Sequence, residues 1–92
     1  MSFEEKSAVL QEESFEALAL RVLKTALEAS KKEITVSWVE RKFDFGYSKS
    51  SYLLRVLEEK GYLQSELEMK EEGRTGRRIL VAKDFFEHAS QE

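Results

Sequence analysis

Cysteine and proline are absent from this 92-residue chain, histidine occurs once (His88) and glycine four times. The missing cysteines exclude a disulfide framework, thiol redox chemistry and cysteine-bound zinc, and one histidine leaves too few soft ligands for a transition metal. No metal and no cofactor are expected. Without proline, only the few glycines interrupt helices, which favours a helix-rich fold. No apolar run approaches the ~18 residues of a membrane span. The N-terminal stretch MSFEEKSAVL is acidic where a signal peptide is basic and then apolar. No membrane association is expected, and the cytoplasm is the expected location. At 10.7 kDa there is room for one small domain, which buries roughly 60 to 70% of its unfolded surface. That size excludes most cofactor-driven enzymes. A single histidine completes neither a Ser-His-Asp set nor a metal-ligand set, so neither catalysis nor a small-molecule substrate is expected.

Helical spacing is plain where the chain is apolar. Residues 1–13 read as a short extra helix or arm. From Ser14, the positions Leu18, Leu20, Val22, Leu23, Ala26 and Leu27 recur at helical intervals, and Lys31-Lys32 close the segment. Ile34-Thr35-Val36 is β-branched and predicts a brief strand. Ser37 then caps a helix from Trp38 to about Phe43. After the break at Gly46, Ser48 is expected to cap a third helix, with Tyr47 and Tyr52 stapled across its start. Leu53, Val56 and Leu57 line one face of that helix, Ser51, Arg55, Glu58 and Glu59 the other, and Gly61 ends it. Residues 62–69 and 77–82 alternate as two strands around the charged tip KEEGRTGR at 70–77, and a last helix runs from Asp84 to about Ser90. Trp38 and Phe43 are expected in the core, and His88 on the surface.

This order predicts an α+β, mostly helical fold: a winged helix-turn-helix over residues 14–82, with a small antiparallel sheet and additional terminal helical segments at 1–13 and 83–92. In such a fold the third helix enters a DNA major groove and the hairpin wing lies along the backbone.

The segment 39–63, VERKFDFGYSKSSYLLRVLEEKGYL, resembles the C-terminal gamma domain of the FtsK-type DNA translocases. The resemblance lies in Val39-Glu40-Arg41-Lys42, in the hydrophobic-Gly-Tyr turn Phe45-Gly46-Tyr47, and in the ungapped helix ending Glu58-Glu59-Lys60-Gly61. It implies a domain that reads double-stranded DNA from the start of the third helix. Where that family usually carries asparagine, arginine and often another arginine, this chain has Ser48, Lys49 and Tyr52, so the family's own DNA sequence is not carried over. No G-x-x-x-x-G-K-[ST] loop is present, and ATP-driven translocation does not carry over either.

The net charge of -3 runs against nucleic acid until it is resolved by region. Residues 1–33 hold five basic and seven acidic groups, residues 34–60 five and four, residues 61–82 four and four, and residues 83–92 one and three. The acid therefore sits at the ends. The expected DNA contacts are Arg41, Lys42, Ser48, Lys49, Ser51, Tyr52 and Arg55 around the third helix, and Lys70, Arg74, Arg77 and Arg78 on the wing. Glu66 and Glu68 read as solvated acids rather than a paired acid site. Phe3, Phe85 and Phe86 either cover the core or form a homodimer surface. The alternative is a winged-helix protein-interaction or dimerisation module that binds no DNA, in which Glu58, Glu59, Glu66 and Glu68 would repel a duplex.

Overall fold

A computed structural model describes residues 14–89, with side chains to Glu87. The expectations for the arm at 1–13, for Phe3, for the end of the last helix and for the His88 side chain lie outside the described residues. The element order is α1 (Phe15–Glu28), β1 (Glu33–Ile34), α2 (Val36–Phe43), α3 (Tyr47–Glu59), α4 (Glu66–Glu71), β2 (Arg77–Arg78) and α5 (Phe85–Ala89). The fold is α+β and mostly helical, with a small antiparallel sheet beside a helix-turn-helix.

Local chemistry sets most boundaries. Ser14 Oγ accepts the Ala17 amide at 3.0 Å and starts α1, whose Ala19, Val22, Leu23, Ala26 and Leu27 form one buried face. Thr35, not Ser37, caps α2. Its Oγ1 accepts the Trp38 amide at 3.0 Å, which starts the helix at Val36, so the strand expected at Ile34–Val36 keeps only Ile34 and instead runs from Glu33 to Ile34. Asp44 takes the left-handed conformation (φ 58°, ψ 42°) that stops α2, a role its short polar side chain tolerates. The turn 44–46 then leads into α3.

Gly46 rather than Ser48 occupies the N-cap position of α3, and no side chain caps that helix. The start lies two residues earlier than expected, so Tyr47 is the first helical residue and no staple to Tyr52 forms. The buried face of α3 is Ser50, Leu53, Leu54 and Leu57, at the i, i+3, i+4, i+7 spacing of a helix, while Val56 is only half-buried. It packs chiefly on α1 and then on α2. Gly61 (φ +83°) ends α3 as expected. The Tyr62 amide reaches Leu57 O at 3.0 Å and the Gly61 amide reaches Glu58 O at 2.9 Å, a Schellman closure that needs a left-handed residue between them.

Ser50 is fully buried and its hydroxyl has no hydrogen-bond partner. A buried donor without a partner is destabilising, and alanine is the better helix former. Ser50→Ala should therefore raise stability by about 1 kcal/mol. In urea denaturation the midpoint should move up at constant m-value; a lower midpoint would contradict the reading.

The wing departs from expectation. Residues 62–69 do not form a strand. Only Leu63 bridges, to Ile79, before Ser65 Oγ accepts the Glu68 amide at 3.1 Å and turns the chain into α4. The S-x-x-E order at 65–68, acids in the first turn and Lys70 in the last favour a helix over continued pairing. The sheet is correspondingly small: β1 pairs antiparallel with β2, Glu33 opposite Arg78 and Ile34 opposite Arg77. Segment 62–64 flanks β2 on its other side, through Gln64 N to Arg78 O and Leu80 N to Tyr62 O, both 2.9 Å. A side chain at Gly76 would meet the Glu33 carboxylate, which would have to swing aside to admit it.

Phe85 and Phe86 are half-buried against the core, and Phe85 meets the Tyr62 ring at 4.9 Å. The expected covering of the core is thus seen for both rings. Trp38 and Phe43 are likewise half-buried at the core's edge.

Candidate nucleic-acid interface

Burial of Ser50, Leu53, Leu54 and Leu57 turns the opposite side of α3 outward. Ser48, Lys49, Tyr52 and Arg55 are exposed there, and Ser51 is half-buried beside them. No carboxylate lies between Tyr47 and Leu57. Because Gly46 offers no side chain, the first amides of α3 lack the capping bond that Ser14, Thr35 and Ser65 give α1, α2 and α4. Open amides and the helix dipole together favour an anion at this end.

Lys49 Nζ sits 4.2 Å from the centroid of the Phe45 ring, which stacks on Phe43 at 5.6 Å; Phe43 meets Trp38 edge-on at 6.0 Å. The cation–π contact holds the ammonium at the mouth of the turn without neutralising it. Tyr52 packs edge-on against Phe15 of α1 at 5.0 Å, and both rings stay about half exposed. Arg55 is exposed and pairs with Glu59 one turn on, at 3.8 Å. Arg41 and Lys42 occupy the last turn of α2, both exposed, where positive charge suits the helix C-terminus. Lys60 pairs with Glu16 across α3 and α1; that hydrogen bond raises its pKa above the ordinary lysine value, against a smaller lowering by desolvation.

The wing cations are placed differently from the expectation of a free basic tip. Arg77 points inward with 6% of its side chain exposed. Its guanidinium donates to Glu58 Oε1 at 2.7 Å and to Leu54 O at 3.4 Å, and lies 3.8 Å from Glu66. Arg77 shares the inward face of its strand with Ile79, so it joins β2 to α3 and α4 and has no surface left for DNA. Arg74 is tied to Glu33 at 2.5 Å, Arg78 approaches Glu72 at 3.4 Å, and Lys70 pairs with Glu66 at 3.3 Å. Three of the four acids expected to repel a duplex meet a cation, while Glu68 stays exposed. Glu58 and Glu66 meet Arg77, and Glu59 meets Arg55.

The structure also gathers cations that sequence reading left out of any site. Lys31, Lys32 and Lys83 come together with Arg74 and Arg78 around one cleft. Lys31-Lys32 reads in sequence as the charged end of a helix, and Lys83 lies far along the chain, so only the return of the chain through β2 brings them together. Among the described residues, no three His, Asp or Glu side chains converge as metal ligands, and no helix is long and apolar enough to cross a membrane. No family model, curated protein or solved structure matches the chain.

Proposed function

We propose that this chain is a non-enzymatic winged-helix module that binds double-stranded DNA, placing the first turns of α3 in the major groove. One observation carries the reading. The exposed start of α3 combines uncapped amides, Ser48, Lys49, Tyr52 and Arg55 with no acid between Tyr47 and Leu57. Arg41 and Lys42 extend the positive surface to α2, and the Gly-Tyr turn after them is the feature that resembles the FtsK-type gamma domain. The wing is the lesser partner, because Arg77 is internal and Arg74 is held by Glu33; Lys70 and Arg78, like Arg55, sit in exposed ion pairs that a phosphate can replace. Ser48 and Ser51 offer hydroxyls to bases or phosphates. With no bidentate side chain at the start of α3, affinity comes mainly from phosphates and sequence preference is shallow.

Arg41, Lys42, Lys49 and Arg55 supply about four phosphate contacts, for a log-log salt slope of about -3.6. Affinity for a mixed-sequence duplex should fall on the order of a hundredfold between ~50 and ~200 mM salt. Fluorescence polarisation with a labelled duplex checks this; no binding at the lower salt would contradict the proposal.

A second reading, protein docking, draws on the partly exposed rings of Phe15 and Tyr52, which with Ser48 and Lys49 line a shallow apolar groove. Docking through that groove would depend weakly on salt. The salt titration therefore separates the two.

A further inference from the structure

We infer that the cleft between the end of α1, β1 and the chain leaving β2 is a binding site for a small organic anion with an apolar body. The cleft is open to solvent and has a volume of about 620 Å³, within the range of small-molecule sites. None of its lining residues belongs to α2 or α3, so the inference does not rest on the DNA reading.

Its floor is apolar, from Leu27, Ile79 and Val81, and five cations stand around it: Lys31, Lys32, Arg74, Arg78 and Lys83. Glu33 is the one acid in the lining and is held by Arg74; Glu72 approaches both arginines from outside. The three lysines have no carboxylate partner among the described residues. Lys31 lies over the Trp38 ring at 5.2 Å and Lys83 donates to Ser30 Oγ at 3.1 Å. Two neutral contacts thus hold ammonium groups at the rim of an apolar cleft, with three positive charges in excess over Glu33 and Glu72. Arg74 Nε is buried there and donates to nothing. Like charges gathered this way repel one another, and a ligand that supplies negative charge relieves the repulsion. An apolar cleft with a cationic rim takes a phosphate or carboxylate at the rim and a ring or short chain on the floor. A bare anion would leave the floor unused, and a neutral apolar molecule would leave the rim unanswered.

The probe is 1-naphthyl phosphate, titrated into the full chain and followed by amide shifts in NMR, with inorganic phosphate and 1-naphthol as the two half-ligands. The aryl phosphate should bind at least about tenfold more tightly than either half and should move the amides of Leu27, Glu33, Ile79 and Val81. The double variant Lys32→Glu/Lys83→Glu alters two exposed side chains and should weaken it by about tenfold or more; Lys32→Gln/Lys83→Gln serves if the first fails to fold. Duplex DNA should move α3 amides in wild type and double variant alike, so loss of one activity is distinguishable from loss of the other. Binding no tighter than inorganic phosphate, undiminished binding by the variants, or shifts confined to α3 would each overturn the inference. So would a duplex that moves the cleft amides when the aryl phosphate does not.

Discussion

Arg77→Ala should lower folding stability by about 3 kcal/mol, the largest loss expected from any charged residue of the domain. The guanidinium is almost wholly buried and makes three different connections: to Glu58 and the Leu54 carbonyl on α3, and to Glu66 on α4. Truncation leaves Glu58, itself one-third exposed, without its cation, and opens a gap where β2 meets two helices. A domain of this size has about 5 to 14 kcal/mol in total, so the loss should be conspicuous. Arg77→Lys keeps the charge but not the fork and should recover only part. Urea denaturation measures both, and a double-mutant cycle with Glu58→Gln should show coupling above about 1 kcal/mol. A loss below about 0.5 kcal/mol for Arg77→Ala would mean that the inward pairing contributes little.

Lys49→Glu combined with Arg55→Glu should weaken duplex binding by about a hundredfold or more and cut the magnitude of the salt slope by about two. Both side chains lie on the exposed face of α3, and each substitution removes a cation and adds a repelling acid. The fold should be nearly indifferent. The Arg55–Glu59 pair is exposed and one turn apart, an arrangement worth about 0.3 to 0.5 kcal/mol. An acid at position 49 sits in the first turn, where the helix dipole favours it, offsetting the lost contact with Phe45. Unchanged circular dichroism with lost binding is the expected pair of results. Equal binding by the variant would remove α3 from the interface.

Much of the helical framework is legible in the residues themselves. The buried face of α1, the left-handed turn at Gly61 and the break at Gly46 between two helices follow from apolar spacing and from punctuation by glycine, while α2 and α3 each start two residues earlier than caps at Ser37 and Ser48 would have it. The errors gather where two local signals compete. At Thr35 the β-branched run suggests a strand, but the hydroxyl captures the Trp38 amide and starts a helix. At Ser65 an imperfect alternation suggests a strand, while S-x-x-E starts α4. The candidate site is less legible than the fold, because charge in sequence does not say what a side chain meets. Arg77 and Arg78 are neighbours, yet the two-residue period of a strand sends Arg77 to Glu58 and Arg78 outward to Glu72. Lys49 gains its seat from Phe45, which the Gly46 turn places beneath it.

The most direct measurement is an NMR titration of the isotope-labelled chain with a mixed-sequence duplex at ~50 mM salt, a condition that favours phosphate contacts. If α3 holds the duplex, the amides of Ser48, Lys49, Tyr52 and Arg55 shift most, those of Arg41 and Lys42 less, and that of Arg77 hardly at all. An unperturbed α3, with shifts elsewhere or none, would contradict it.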